Sequence, residues 1–357
     1  MKEKQVAGII DCASPYVIED IENFLKTGDA YELKDGGIIY KDKVCILLGS
    51  EVETSEKGRN GKSGSAHNVC FFPYLKDIKG FSNELAKHVK NVTLSTQRSD
   101  LSGYDLVDIV EKYNGIVIPA HIFTPHKSYY GNCTDRLKDI FKEKYDKIFA
   151  VELGLSSDTF LADEISELEN KTFVTNSDAH SLPKIAREYN KMQVEDISFK
   201  EIVKALKNED GRKVLANYGL DPKLGKYHRS FCEDCNDSIE IDQAATVCPK
   251  CGGTNITFGV FDRIELIKDK KETKSPENRP PYIYQVPLSF IPGVGGKTVE
   301  KLLSNFETEM NVLHKVSEDD IEAVVGAKVA KNIMNSINGN IHVHSGGGGV
   351  YGKVEVK

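Results

Sequence analysis

No stretch of this 357-residue chain approaches the roughly 20 consecutive apolar residues that a membrane-spanning helix needs. The opening residues, MKEKQVAGIIDCAS, lack the charged n-region, the apolar h-region and the small-residue cleavage site of a secretory signal. The sequence therefore reads as that of a cytoplasmic protein with no membrane partner. Excess positive charge is also missing: 47 Lys and Arg stand against 54 Asp and Glu, a formal net charge of −7. That balance excludes a blanket affinity for polyanions and leaves nucleic-acid binding to local cationic patches. The most cationic stretch, 212–229, holds Arg212, Lys213, Lys223, Lys226 and Arg229 against the single acid Asp221, a composition that an ordinary solvated face also shows.

What is present suits a globular protein of two to three domains, with 39% hydrophobic and 28% charged residues. Of eight cysteines, Cys12, Cys45, Cys70 and Cys133 are scattered and read as reduced core or surface thiols. The other four form CEDC (Cys232, Cys235) and CPKC (Cys248, Cys251), a CxxC-x12-CxxC pattern. Two such knuckles supply four thiolates for a tetrahedral zinc site, which would be structural because no coordination position stays open. Paired disulfides are the alternative that a reducing compartment disfavours.

From residue 5 to 217 short apolar runs alternate with helical patterns. The predicted strands are 6–11, 44–52, 68–73, 115–121, 149–153 and 172–178; YVIEDIENFLKT, YDLVDIVEKYN and ISFKEIVKALKN read as amphipathic helices. Such alternation predicts a parallel sheet or barrel, with ligands at the carboxyl ends of the strands. Glu51, His67, His121, Asp178 and His180 fall at or near those ends. Asp178 and His180 are two apart, which on extended backbone puts them on one side. A lone His at a strand end is usually structural, but five acids and imidazoles recurring from strand to strand suit divalent ions such as Zn, Mn or Mg in phosphate-ester hydrolysis. His126 follows a proline after His121 and reads as an entrance or phosphate contact.

Four regions are expected: a barrel at 1–217, a zinc module at 218–262, a charged, proline-containing linker at 263–286, and a helical region at 287–357 ending in a Gly-rich segment and a final strand. In the last, FIPGVGGKTVEKLL opens an amphipathic helix with a Gly-x-Gly turn, and IEAVVGAKVAKNIMNSI is a weaker echo of it. Gly293 and Gly295 permit close backbone approach, so that amide N–H groups can bind a DNA phosphate, with Lys297 adding charge.

These residues carry a resemblance. The segments GSEVET, PAHIFTPH, ELGLSSD, TNSDAHS, CEDC/CPKC and IPGVG, in that order over nearly the whole chain, resemble the PHP (polymerase and histidinol phosphatase) family of metal-dependent phosphoesterases, and within it the endonuclease Q group of DNA-repair nucleases. The resemblance implies an α/β fold, a distorted (β/α)7 barrel, joined to a four-cysteine zinc module and a helix-hairpin-helix-like domain. It implies Glu51 as a metal-bridging carboxylate, His67 and His121 as ligands of one ion, Asp178 of a second and His180 of a third, with Glu51 and Asp178 essential to catalysis. The activity implied is hydrolysis of the phosphodiester 5′ to uracil, hypoxanthine or abasic sites. One departure matters: the family opens with a strand ending in His-x-His, whereas this sequence begins at a strand resembling the family's second. Its one His-x-His is His342-Val343-His344. The barrel is thus expected to lack its first strand and to bind fewer ions than a complete relative. Two other readings follow: a small-molecule phosphatase of the histidinol-phosphate type, or a catalytically impaired DNA-binding protein.

Overall fold

A computed structural model describes residues 5–58, 61, 63–239, 246–272 and 274–356. The MKEK opening, part of the leader reading, lies outside the described residues. The chain begins with β1 (Gln5–Ile9), α1 (Pro15–Thr27), β2 (Ala30–Glu32), β3 (Ile38–Tyr40), β4 (Val44–Lys57), β5 (Ser63–Phe72), α2 (Leu75–Leu85), α3 (Gly103–Lys112) and β6 (Ile116–Pro119). The strands make one sheet in the order β2-β3-β4-β5-β6, with β1 attached to β4. β4 is the spine: its first half pairs with β1 in parallel and with β3 antiparallel, and Leu48 to Lys57 pair antiparallel with β5.

This sheet is mixed, where alternation of strands and helices predicted a parallel one. Only residues 58–62 separate β4 from β5. A parallel return needs a crossover of about a dozen residues or more, so the connection forces a hairpin. The β2–β3 hairpin was not foreseen, because three-residue strands are too short to display alternation. The three predicted amphipathic segments are helices. α1 carries Ser14 at its N-cap, Pro15 in its first turn and Gly28 as a left-handed C-cap with φ 81°.

The barrel continues through α4 (Leu137–Phe141), β7 (Ala150–Glu152), α5 (Thr159–Ala162), β8 (Thr172–Val174), β9 (Tyr189–Gln193), α6 (Phe199–Lys207) and β10 (Lys213–Leu220). β7 and β8 pair in parallel. Ser198 caps α6, whose Phe199, Ile202, Ala205 and Leu206 are buried. The four scattered cysteines are all buried. Next come β11 (Ser230–Cys232), β12 (Asp237–Ile239) and β13 (Ile256–Thr257), a small sheet in the order β12-β11-β13, then α7 (Val260–Ile267) and β14 (Tyr282–Gln285).

Residues 263–286 are therefore not the linker that their charge and proline suggested. α7 drives Val260, Ile264 and Ile267 into the barrel core, and β14 pairs in parallel with β10. The apolar positions 260, 264 and 267 have helical spacing, but the expected boundary at 262/263 cut across that face. Arg263 is buried, donating to the carbonyls of Tyr130 and Thr134 and pairing with Asp135.

The chain closes with α8 (Gly296–Phe306), α9 (Glu309–His314), α10 (Glu318–Val325), α11 (Ala327–Ile337) and the antiparallel hairpin of β15 (Ile341–His344) and β16 (Lys353–Val356), around a second core that includes Leu302, Val312, Ile321 and Ile333. The Gly-rich segment is pinned rather than loose: the Gly346, Gly349 and Gly352 amides donate to the carbonyls of Lys223, Lys226 and Leu224. No helix among the described residues is long and apolar enough to cross a membrane.

One ion pair clamps the former linker to the barrel. Arg279 Nη2 lies 2.7 Å from Asp163 Oδ1, with the two side chains 5% and 0% exposed, and the guanidinium stacks 3.7 Å above Phe173. Truncating it strands a buried carboxylate, which costs roughly 3–5 kcal/mol. Arg279→Met is expected to lose that much stability in urea denaturation, and the double variant Arg279→Met/Asp163→Leu to recover most of it.

Candidate active site

Glu51 and Glu53 lie two apart on β4 and share a face, and the antiparallel register sets Glu53 opposite His67 of β5. His67 sits between the two acids, with Nδ1 3.1 Å from Glu51 Oε1 and Nε2 3.6 Å from Glu53 Oε2. Just beyond β6 the chain turns at His121, whose φ of 31° lies in the left-handed region. This close turn needs Gly154, just after β7, since a Cβ there would come within 2.7 Å of His121 Cβ. His121 Nε2 lies 3.3 Å from His67 Nδ1, and its Nδ1 lies 3.0 Å from the Thr124 hydroxyl.

Glu51, His67 and His121 thus bring one carboxylate oxygen and two ring nitrogens within 4.8 Å of one another. Ligands bound at 2.0–2.2 Å around a tetrahedral ion stand about 3.3–3.6 Å apart, so the donor set and its spacing fit a divalent cation. Protonation states fit as well. Burial would raise the Glu51 carboxyl, but the hydrogen bond and charge of His67, the charge of His121 and the Thr96 hydroxyl outweigh it and hold the carboxyl at about 2. Burial, and then the charge of His67, push His121 below the usual imidazole value, favouring the neutral form that binds metal.

The sequence reading missed the supporting residues. Thr96 Oγ1 donates to Glu51 Oε1 at 2.7 Å, and Lys127 Nζ holds Glu53 Oε2 at 3.0 Å. An acid beside the far nitrogen of a ligating imidazole orients the ring. Glu53 was findable, since the alternation applied to Asp178 and His180 applies equally to Glu51 and Glu53.

For Asp178 and His180 that alternation fails. β8 ends at Val174, and Asp178 has a φ of 43°, so a turn rather than a strand brings His180 Nδ1 to 3.6 Å from Asp178 Oδ1. Asp178 is near enough for its charge to act on His121, while the His180 side chain is 81% exposed and outside the cluster. His126 is exposed over a separate groove lined by Tyr227, Arg229, Phe231 and Phe258. His342 and His344 stack edge to face on the terminal hairpin, with His344 paired to Glu355.

The four clustered cysteines converge. The Cys232–Cys251 and Cys235–Cys248 sulfurs lie 3.7 and 3.8 Å apart. Four sulfurs about 2.3 Å from one zinc have edges of about 3.8 Å, whereas a disulfide would need about 2 Å. In the helical region Gly293 (φ 85°) leads into α8, and a Cβ at Gly295 or Gly296 would meet nothing within 4 Å. Lys297 is exposed in the first turn. The echo is a real second hairpin: α10 turns at Gly326 (φ 85°) into α11, which carries Lys328, and Asn332 donates to the Pro292 carbonyl of the first.

A PHP-associated family signature matches residues 157–210, and the HHH motif of the IMS family matches residues 276–307. The chain is 46% identical over 353 residues to the uncharacterised protein YqxK of Bacillus subtilis, covering 98% of this chain and 88% of that one. An uncharacterised protein of Methanocaldococcus jannaschii is 38% identical over 255 residues, 66% of this chain and 31% of that one. Among solved structures, the lesion-specific endonuclease PfuEndoQ from Pyrococcus furiosus superposes with a TM-score of 0.82 at 32% identity, over 99% of this chain and 87% of its own. Endonuclease Q in complex with a 27-mer duplex substrate bearing an abasic lesion at the active site gives 0.84 at 31% identity, over 99% and 88%.

Within reach of the Asp178 charge, Glu152 and Glu188 are buried carboxyls, each pushed up to about 8 by that burial. Glu188 accepts the Leu220 amide at 2.6 Å, while its Oε2 has no hydrogen-bond partner among the described residues. Its folded value lies above the ordinary value of about 4.3, so the stability it contributes is complete below that pH and is lost as pH rises toward 8, at up to about 1.4 kcal/mol per pH unit. Glu188→Gln is expected to flatten the fall in denaturation midpoint between about pH 5 and 8.

Proposed function

Because the chain belongs to the endonuclease Q family of PHP-type metal-dependent nucleases, we propose that it is a DNA-repair endonuclease that cuts duplex DNA on the 5′ side of abasic sites, uracil and hypoxanthine. The observation that carries this reading is the convergence of Glu51, His67 and His121 on one point, in a chain that shares 99% of its length with lesion endonucleases. We assign the cluster as the principal metal site, the four cysteines as a structural zinc site, and the two hairpins as the duplex-binding element. Residues 1–217 are assigned to the catalytic barrel together with α7 and β14. The work is cytoplasmic.

A cation in the cluster supplies Lewis-acid polarisation of a phosphoryl oxygen and acidification of water. The chain's residues prepare the place for it. Glu51 is ionised at neutral pH and brings the negative charge; burial keeps His121 a neutral donor; Thr96 and the Glu53–Lys127 pair fix the orientation of Glu51 and His67. Asp178 and His180, at the rim, extend the site as ligands for further ions. Gly293, Gly295 and Lys297, repeated as Gly326 and Lys328, offer amides and charge to phosphates. His126 lies away from the cluster and serves as an outer phosphate contact.

Glu51→Gln and Asp178→Asn are each expected to lower cleavage of an abasic-site duplex by more than about 100-fold, with the four-cysteine zinc retained in metal analysis. Normal cleavage by both variants would overturn the site, and turnover of p-nitrophenyl phosphate without cleavage of lesion DNA would favour the small-molecule phosphatase. Lys297→Ala and Lys328→Ala are each expected to reduce the slope of log affinity against log salt by about 1.

A further inference from the structure

Beyond Asp178 the chain forms a projecting loop of unusual composition for its exposure. Residues 178–185 are all exposed, and they include Leu182 (83%), Pro183 and Ile185 (61%). Leu182 is the most exposed large apolar side chain among the described residues. Single exposed hydrophobics are ordinary, but this pair sits on a tip whose base is held firmly. Left-handed backbone at Asp178 (φ 43°) and Ala186 (φ 60°) turns the chain at both ends. Just outside them Arg187 Nε closes the base by donating to the Ser177 carbonyl at 2.9 Å, and Gln285 donates to the Arg187 carbonyl at 3.1 Å. Upstream, the Asn190 carboxamide accepts from the Thr175 amide and donates to its carbonyl, both at 2.8 Å, imitating a neighbouring strand. The tip itself is a single 3-10 turn, Leu182–Lys184, stiffened by Pro183. An exposed turn carrying an apolar pair and Lys184 therefore follows Asp178, whose charge reaches His121 of the cluster.

On the reading of the chain as a lesion endonuclease, we propose that Leu182 and Ile185 are an apolar wedge that enters the base stack at the lesion. They would fill the gap left as the damaged nucleotide turns out of the duplex toward Glu51, His67 and His121, while Lys184 contacts the flanking phosphate. Apolar side chains at such points unstack neighbouring base pairs, and an extruded nucleotide leaves a space that water fills poorly.

The test uses the full chain, in the presence of Mn2+, and duplexes carrying an abasic-site analogue with 2-aminopurine as the neighbouring base. Binding by the wild-type chain is expected to raise 2-aminopurine fluorescence. The double variant Leu182→Ser/Ile185→Ser, whose changes lie on exposed positions, is expected to bind with the rise reduced roughly threefold or more, and to keep wild-type affinity for the same lesion in single-stranded DNA, where there is no stack to open. Leu182→Phe is expected to restore the rise. A double variant with the wild-type rise would overturn the wedge and leave the tip as a surface for some other partner; an equal loss on single strands would overturn it in favour of a general role in the site. Wild-type preference for the lesion duplex without any rise would sink the wedge alone, whereas no preference for the lesion duplex would sink the functional reading with it.

Discussion

His67 Nδ1 faces two groups at once, Glu51 Oε1 at 3.1 Å and His121 Nε2 at 3.3 Å. One ring nitrogen carries at most one proton, so it cannot donate fully to both, and neutral His121 brings a lone pair to the same place as a carboxylate. A divalent cation bound there would accept all three electron pairs together. The barrel is built around keeping this crowd in place. Thr96 takes one side of Glu51, the Glu53–Lys127 pair stands behind His67, and the backbone at Gly154 crowds His121 from below. Local conflict held by a firm surround is what distinguishes a functional site from a merely packed one.

Unusual backbone occurs at this place as it does at several turns elsewhere. Thr96, His121 and Asp178 come from three distant parts of the chain, and each is a non-glycine residue with positive φ. Such conformations persist only where the neighbourhood over-determines them. The long strand β4 makes this possible. Its first half is fixed between β1 and β3, which sets the height of Glu51, and its second half is fixed by β5, which sets that of His67. The buried Arg279–Asp163 pair and the α7 contacts then join the segment after the zinc knuckles to the body that carries the site.

Much of this was legible because its signals are local. The two CxxC knuckles, the first Gly-x-Gly turn and the capped amphipathic helices are each determined within a few positions, whereas Glu51 and His67, expected near strand ends, lie in the middle of β4 and β5. What the sequence hid was relational. The direction of β5 depended on how few residues join it to β4, and that information was present but outweighed by the strand-helix rhythm. The contribution of α7 and β14 to the barrel was concealed because lysines and prolines describe a segment's wet side, whereas its place in the fold is set by three apolar positions a helical turn apart. Asp178 and His180 misled in the opposite sense. Their spacing fits a strand, but strand pairing stops at Val174, and a left-handed residue sets the geometry beyond it.

The balance of charge bears on how such a protein finds damage. With a net charge of −7 it has little long-range attraction for DNA, so on the proposed reading duplex affinity comes from local contacts such as those offered by the lysines of the paired hairpins. Each contact of that kind reads phosphate and ignores sequence. On the same reading, discrimination falls to the step at which a nucleotide leaves the stack, where an abasic or mispaired position opens at lower cost than an intact pair. Weak backbone attraction favours that step, because a protein held tightly to undamaged DNA would spend its time on sites that do not open. The proposed wedge at Leu182 and Ile185 would complement a modestly charged surface: little affinity for the duplex in general, and a gain in contact only where the stack gives way.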